Sequence, residues 1–407
     1  MTAYVETGTS VDAFRLRVCE ALSVHGEETV ASWETRGHVP REAVAGLARR
    51  GIFRDRWREG AERGLPLLTV LSEETARISS GLALAVMGHC EMFVGALRSY
   101  AATSGQLALL EDALDGTAVG CFAATEPHGG SDLAAIRTTA TPTVDGWRLR
   151  GRKRYISNIG EATHVLVLAR PAQTRHVGDL GLFVVPLDTP GATVDGFFQT
   201  AGVRSCDVGQ VTLDVELPAD ALLGSPGLGL LYAAHLLHFE RVSICAQLLV
   251  GAGTALRLAT AFARRRGHGD KRVMDRQVIG HRLARCRAEL WNLESRLREL
   301  VARARDEERM PAHEIAALKL VAGESAVAII DASMQVMGAR GVSGGFPLER
   351  IWRDCRMARL GGGTDEVLAD LVASGLDRHD PDFDDLLVGY LAGDDPILDG
   401  RPGDGRR

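Results

Sequence analysis

Cys121-Phe122-Ala123-Ala124-Thr125-Glu126-Pro127-His128-Gly129-Gly130-Ser131-Asp132 is the stretch on which the reading of the fold turns. A short apolar run with strand character enters a loop that holds paired glycines and two hydroxyls. Glycine lets backbone N–H groups come close to a ligand, and a hydroxyl both donates and accepts. Such a loop suits a flavin ring or a phosphate. Taken alone, it is more often a plain glycine-rich turn. Asp132 reads as a residue that fixes the loop.

Working outward, apolar residues over about 11–114 recur at spacings of three and four, as at Val44, Leu47 and Ala48. Charged residues stand between them, which predicts helices. The stretch 67–100 holds two such runs, parted at Ser79-Ser80-Gly81. Strand character begins near Ala118 and lasts to about Gly224. Asp145-Gly146 between alternating runs predicts a hairpin. Buried strands are predicted over 163–169, 181–186 and 210–215. Gly224-Ser225-Pro226-Gly227-Leu228-Gly229 reads as a linker. Beyond it, helices are predicted over 230–266, 276–306, 312–337 and 364–374. The order is an N-terminal helical domain (1–117), a middle β domain (118–224) and a C-terminal helical bundle (225–376), an α+β class that is mostly α. The tail 377–407 is rich in Asp, Gly and Pro and is expected to fray.

Composition narrows the partners. A chain of 407 residues has room for two or three domains. Net charge is −6 with no basic block, so neither nucleic acid nor an anionic membrane surface is an expected partner. The only lysines are Lys153, Lys271 and Lys319, so nearly all positive charge is arginine. With abundant Ala and Gly, that hints at a GC-rich genome. The seven cysteines are odd in number and have no C-x-x-C spacing, which favours neither a disulfide framework nor zinc. The first residues lack the basic and apolar regions of a signal peptide. No apolar stretch is expected to reach the ~18 residues of a membrane span. The expectation is a cytoplasmic, reduced protein without a metal.

A second motif is Gly151-Arg152-Lys153-Arg154-Tyr155-Ile156-Ser157-Asn158. Tyr155 offers an aromatic face and Ser157 a hydroxyl two residues on, so strand alternation puts both on one side. Taken alone, this is an ordinary strand with a buried tyrosine.

Together the two segments resemble the acyl-CoA dehydrogenase family, whose pattern is Thr-Glu-Pro-x-x-Gly-Ser-Asp followed some twenty-odd residues later by Asn/Gly-x-Lys-x-Trp-Ile-Thr-Asn. Gln335-Val336-Met337-Gly338-Ala339-Arg340-Gly341 is similar to that family's Gln-x-x-Gly-Gly-x-Gly. Glu349-Arg350, Arg353-Asp354 and Gly363-Thr364 follow in the expected order. The resemblance covers about 12–376. It implies an N-terminal helical domain, a middle β-barrel domain and a C-terminal four-helix bundle, with FAD between the last two, in a homodimer or homotetramer. It further implies that Thr125 contacts the flavin near N5/O4, and that Gly130 and Ser131 belong to the cofactor loop, Ser131 by the pyrophosphate and substrate. Tyr155 and Ser157, where the family usually has Trp and Thr, would flank the flavin. Gln335 and Gly338 would meet FAD from a neighbouring subunit, and Thr364 would meet it at the bundle. The family's Arg-x-x-Phe-Gly is altered here to Arg265-Arg266-Gly267-His268-Gly269. Counted back from Gln277, Arg266 takes the arginine slot and Gly269 the phenylalanine slot. A shift of one residue would place Arg265 and His268 there instead. Either arginine can pair with pyrophosphate.

The family's reaction removes an α-proton from an acyl thioester while hydride leaves the β-carbon for flavin N5. The usual base is a glutamate in the slot held here by Gly362, within Gly361-Gly362-Gly363-Thr364. A glycine there keeps its backbone N–H, which the family aims at the thioester oxygen. In the long-chain and isovaleryl branches the base is the Glu of a Glu-Arg pair on the first long bundle helix, and Gly or Ala stands in the usual slot. Glu240-Arg241 and Gly362 show both halves of that exchange. Charges are rare over 228–263, which favours Glu240 as the base over a solvated helix glutamate. Glu366 reads as structural, and His235 and His238 as packing residues. The implied activity is FAD-dependent α,β-dehydrogenation of a thioester carried by CoA or a carrier protein, with an electron-transfer flavoprotein or O2 as acceptor. Relatives acting on carrier-tethered acyl or aminoacyl groups in secondary metabolism share these motifs, and an arginine-rich host fits them. A flavin monooxygenase on the same fold and a flavin-free binding protein are the competing readings.

Overall fold

Ser79 takes an extended conformation (φ −159°, ψ 132°) and its hydroxyl accepts from the N–H groups of Gly81 and Leu82, so the helical run breaks there and restarts at once. In the computed structural model, which describes residues 10–172, 179–376 and Leu387, it separates α5 (Leu65–Ile78) from α6 (Ser80–Met87). Before them stand α1 (Val11–Leu22), α2 (Glu27–Arg36), α3 (Arg41–Arg49) and α4 (Ile52–Trp57). After α6 the chain stays helical but widens into a π-helical segment, Gly88–Val94, before α7 (Gly95–Tyr100) and α8 (Ser104–Asp115). Phe14, Trp33, Phe53, Trp57 and Phe93 are sealed in this core.

His89 lies in the π-helical segment and is fully buried. Its Nδ1 accepts from the Gly120 N–H at 3.1 Å, so Nε2 carries the proton and donates to the Ala113 carbonyl, also at 3.1 Å. Burial pushes its pKa down to about 4. This neutral ring ties the helices to β1 (Gly120–Ala123), the strand that leads into the Thr125 loop.

The middle sheet continues with β2 (Thr139–Pro142), β3 (Gly146–Ser157), β4 (His164–Pro171), β5 (Gly181–Pro186), β6 (Ala192–Phe197), β7 (Val208–Pro218) and β8 (Leu222–Leu223). Its order is β6-β7-β3-β2-β4-β5-β8, with β1 added parallel to β4. β2 pairs antiparallel with β3 and parallel with β4, which curls the sheet. Leu149, Val211 and Leu213 on one limb then pack with Val167, Phe183 and Val185 on the other. The predicted hairpin is the β2–β3 turn. β6 alternates half-buried and exposed residues, yet its single glycine and aspartate hid it from a sequence reading.

α9 (Gly229–Arg265) is followed by a two-residue ribbon, β9 (Gly267–His268) and β10 (Lys271–Arg272). Then come α10 (Gln277–Glu307), α11 (Ala312–Met337), α12 (Leu348–Ala358) and α13 (Asp365–Leu376). The bundle core of α9, α10 and α11 also takes in Leu65 and Leu68 of α5, so that helix seams the two helical regions. The expectation for the tail 377–407 lies outside the described residues, apart from Leu387. Another expectation is corrected. Ser80–Tyr100 and Gly229–Arg265 are long and apolar enough to cross a membrane. However, 83% and 61% of their apolar windows are buried inside the protein, as core helices are.

α12 latches the bundle to the sheet. Asp354 accepts from the Val203 N–H at 2.5 Å, and Arg353 donates from Nη1 to the Ala201 carbonyl at 2.9 Å. Gly202 lies so close that an added Cβ would stand 2.3 Å from the Arg353 carbonyl oxygen. Gly202→Ala is expected to cost about 1–3 kcal/mol, because backbone on both sides must shift. Thermal unfolding of the purified variant checks this as a lowered Tm.

Candidate functional site

Glu240 on α9 and Gly362 between α12 and α13 are 122 residues apart and in direct contact: the Gly362 N–H donates to Glu240 Oε1 at 2.9 Å. Gly362 and Gly363 have φ of +65° and +104°, a region that L side chains seldom adopt. A Cβ on Gly362 would also come within 3.2 Å of Arg241 Cγ and 3.3 Å of Ile244 Cδ1. The backbone thus favours glycine here, neighbouring side chains would have to give a few tenths of an ångström to admit another residue, and the carboxylate comes from the helix opposite.

Two cations hold the turn from below. Arg241 Nε donates to the Gly362 carbonyl at 2.8 Å. Lys319 Nζ, fully buried on α11, donates to the carbonyls of Gly363 (2.8 Å) and Arg359 (2.9 Å). Glu240 is half-buried. Burial raises its pKa and prevails over the opposing pulls of the Gly362 N–H, Arg241 and Lys319. A carboxyl with a raised pKa is suited to general-base work, and a backbone N–H in a water-poor site to steadying a developing oxyanion. Here the two groups are bonded to each other. His238, one turn before Arg241, is pushed down to about 4, chiefly by burial and then by Arg241. His235 pairs through Nδ1 with the Tyr100 hydroxyl at 2.8 Å, which gives it a packing partner.

The second cluster is built on β1 and β3. Arg154 N–H donates to the Thr125 carbonyl at 2.9 Å, which locks the loop to the strand. Glu126 turns inward, where its carboxylate accepts from Lys153 Nζ (2.8 Å), the N–H groups of Arg137 and Thr138 (2.8 Å each) and the Thr138 hydroxyl (2.5 Å). Gly130 sits over Thr125: an added Cβ would lie 2.8 Å from Thr125 Oγ1. His128–Asp132 with Ala135 and Ile136 line a cavity of about 220 Å³. The Thr125, Ser131 and Ser157 hydroxyls make no hydrogen bond to described residues. Open hydroxyls around a glycine that admits no side chain fit the loop of a bound flavin nucleotide.

One expectation is corrected here. Tyr155 is not a buried strand tyrosine. It has φ +57°, sits at a β-bulge between Arg154 and Ile156, and is 57% exposed. Its ring packs on Phe198 at 4.7 Å, with the Arg154 guanidinium about 5.0 Å from each ring. The bulge re-aims the ring outward.

Thr364 caps α13, its hydroxyl accepting from the Val367 N–H at 3.4 Å. Gln335, Gly338 and Arg266 are exposed at the ends of α11 and α9. No hydrogen bond or ring contact among the described residues joins them to the Thr125 cluster. Arg266 directly follows α9, its N–H donating to the Phe262 carbonyl at 2.8 Å.

Sequence reasoning missed Glu126, Lys153, Arg241 and Lys319 as structural members of these clusters. The scarcity of lysine was the available signal: of the three, Lys153 and Lys319 are fully buried.

Glu126 is held at about 2; burial works to raise it, but Lys153 and the Thr138 and Arg137 donors prevail. Because the folded value lies below the ordinary one, its stabilisation is complete above about pH 4.5 and fades as pH falls toward 2. Lys153→Met strands the buried carboxylate and is expected to cost about 3–5 kcal/mol at neutral pH. Denaturant unfolding at pH 7 and pH 3 checks both the loss and its narrowing in acid.

With this geometry in hand, the chain was compared with known proteins. Two family models match, "Acyl-CoA dehydrogenase, middle domain" over residues 121–215 and "Acyl-CoA dehydrogenase, C-terminal domain" over 227–376. The acyl-[acyl-carrier-protein] dehydrogenase MbtN of Mycobacterium sp. (strain MCS) is 31% identical, over 91% of this chain and 95% of that protein. The mitochondrial short-chain specific acyl-CoA dehydrogenase of Bos taurus is 31% identical, over 76% of this chain and 75% of that protein. Among solved structures, an acyl-CoA dehydrogenase from Geobacillus kaustophilus superposes with a TM-score of 0.85 at 25% identity, covering 92% of this chain and all of that one.

Proposed function

The chain belongs to the acyl-CoA dehydrogenase family, and we propose that within it Glu240 is the base that takes the α-proton of an acyl thioester. The observation that carries this is the Glu240 carboxylate bonded to the Gly362 N–H, a base and an oxyanion donor in one place. FAD, when bound, supplies the hydride acceptor; Thr125, Gly130, Ser131, Tyr155 and Ser157 would hold its flavin end, and Thr364 its approach to the bundle. Gln335, Gly338 and Arg266, exposed on one chain, would serve a neighbouring subunit's FAD in a homodimer or homotetramer. The three units divide near 117/118 and 224/225.

The chemistry assigned to this chain's residues is short. An entering thioester carbonyl competes for the Gly362 N–H. Once it takes that bond, the Glu240 carboxylate is freed toward the α-carbon and loses a donor that held its pKa down. Arg241 and Lys319 keep the turn in place as the carboxylate moves. The resemblance to proteins named for acyl carrier protein supports a carrier-borne thioester over a free CoA ester, with an electron-transfer flavoprotein or O2 as acceptor.

Glu240→Gln should keep FAD and lose at least about a hundredfold in the rate of anaerobic flavin bleaching by acyl-CoA and acyl-carrier thioesters. The wild-type rate should rise with pH through a midpoint above the ordinary glutamate value, since the base acts ionised. Bleaching by the variant at the wild-type rate would reject Glu240 as the base.

A further inference from the structure

Only three of the 47 basic residues in this chain are lysines. Where arginine supplies almost every positive charge, a lysine kept in the interior does something the planar guanidinium cannot. Lys319 is 0% exposed on α11. Burying an ammonium costs several kcal/mol unless its donors are met. Here they are met by one structure alone, the passage from α12 to α13. Nζ donates to the Arg359 carbonyl just past the end of α12 and to the Gly363 carbonyl, with Asp365 Oδ1 at 4.0 Å. A cation at the C-terminal end of a helix also meets the negative end of its dipole. A compact point charge can gather acceptors from several directions, whereas a guanidinium presents its donors in one plane.

The turn so held is the one that presents the Gly362 N–H. Arg241 grips it at the next carbonyl from α9, so the two cations fix successive peptides of a segment that is otherwise glycine. Glycine-rich backbone has the most freedom to lose, so its orientation depends on such outside contacts. We propose that Lys319 is a positioning residue for the proposed reaction, holding the Gly361–Gly363 turn so that the Gly362 N–H faces Glu240. This rests on the reading of Glu240 as base, but its structural half stands apart from it. The charges acting on Glu240 are Arg241 on α9 and Lys319 on α11; Lys319 in turn faces Asp365 at the start of α13, itself paired with Arg359, and the neutral Cys245 thiol on α9. Lys319 pulls the Glu240 pKa down, so its loss moves the acid limb of any Glu240-dependent rate to higher pH.

The test uses the full-length, FAD-loaded protein and the variants Lys319→Met and Lys319→Gln. Amide hydrogen exchange over 359–365 is measured by mass spectrometry and needs no substrate. Lys319→Met is expected to raise exchange there at least about tenfold, with α1–α4 and the sheet unchanged, and Lys319→Gln to fall between. Stopped-flow flavin reduction by butyryl-CoA and octanoyl-CoA is followed from pH 5 to 9 alongside Glu240→Gln. Lys319→Met should be slower by about ten- to hundredfold, with its acid limb displaced upward. Unchanged exchange over 359–365 in a folded Lys319→Met protein overturns the proposal. So does failure of both Lys319 variants to accumulate with FAD, which would return Lys319 to general core stability. Fast flavin reduction by Glu240→Gln, with exchange raised in Lys319→Met, rejects the base and keeps the positioning of the turn.

Discussion

One hydrogen bond, from the Gly362 N–H to the Glu240 carboxylate, is the contact that the C-terminal half of the chain is arranged to make. It needs a left-handed peptide at Gly362, where a Cβ would crowd Arg241 and Ile244. It needs α9 to bring a carboxylate out of an apolar stripe. It needs α12 to stop where it does, which the latch of Asp354 and Arg353 onto residues 201–203 secures. The position that looks like a missing side chain is one where the backbone favours glycine.

Buried charge recurs as a means of fixing loops. Glu126 and Lys153 stitch the Thr125 loop to β3, and Lys319 and Arg241 stitch the glycine turn to the bundle. Each ion bonds to backbone groups, and Glu126 and Lys153 also pair with each other, which limits the penalty of taking them from water. Both loops are therefore held by electrostatics from beneath.

Much of this was legible in the chain itself. α9, α10, α11 and β5 follow from apolar spacing, because each buries one stripe or a whole strand against a continuous core. Glu240 and Gly362 were legible as a pair only through the family resemblance, whose branches exchange the two positions; the structure joins them by a hydrogen bond. Three features escaped for physical reasons. The π-helical segment around His89 has the composition of ordinary helix, and the contacts of His89 with Gly120 and Ala113 are long-range ones that local composition does not contain. The outward turn of Tyr155 depends on a bulge against β7, a long-range register that strand alternation does not contain. Lys153 and Lys319 share their rarity with Lys271, and only their depth sets them apart from it.

His89 gives the frame a particular temperament. Because it is neutral and engaged at both nitrogens, it neither gains nor loses charge across the range where most histidines switch. The strand leading to Thr125 is thus braced by a part that ignores mild acid, and His238 beside the other cluster is equally silent. Between these two neutral rings stands the carboxyl of Glu240, whose pKa burial raises, so falling pH acts on the proposed base before it acts on either histidine.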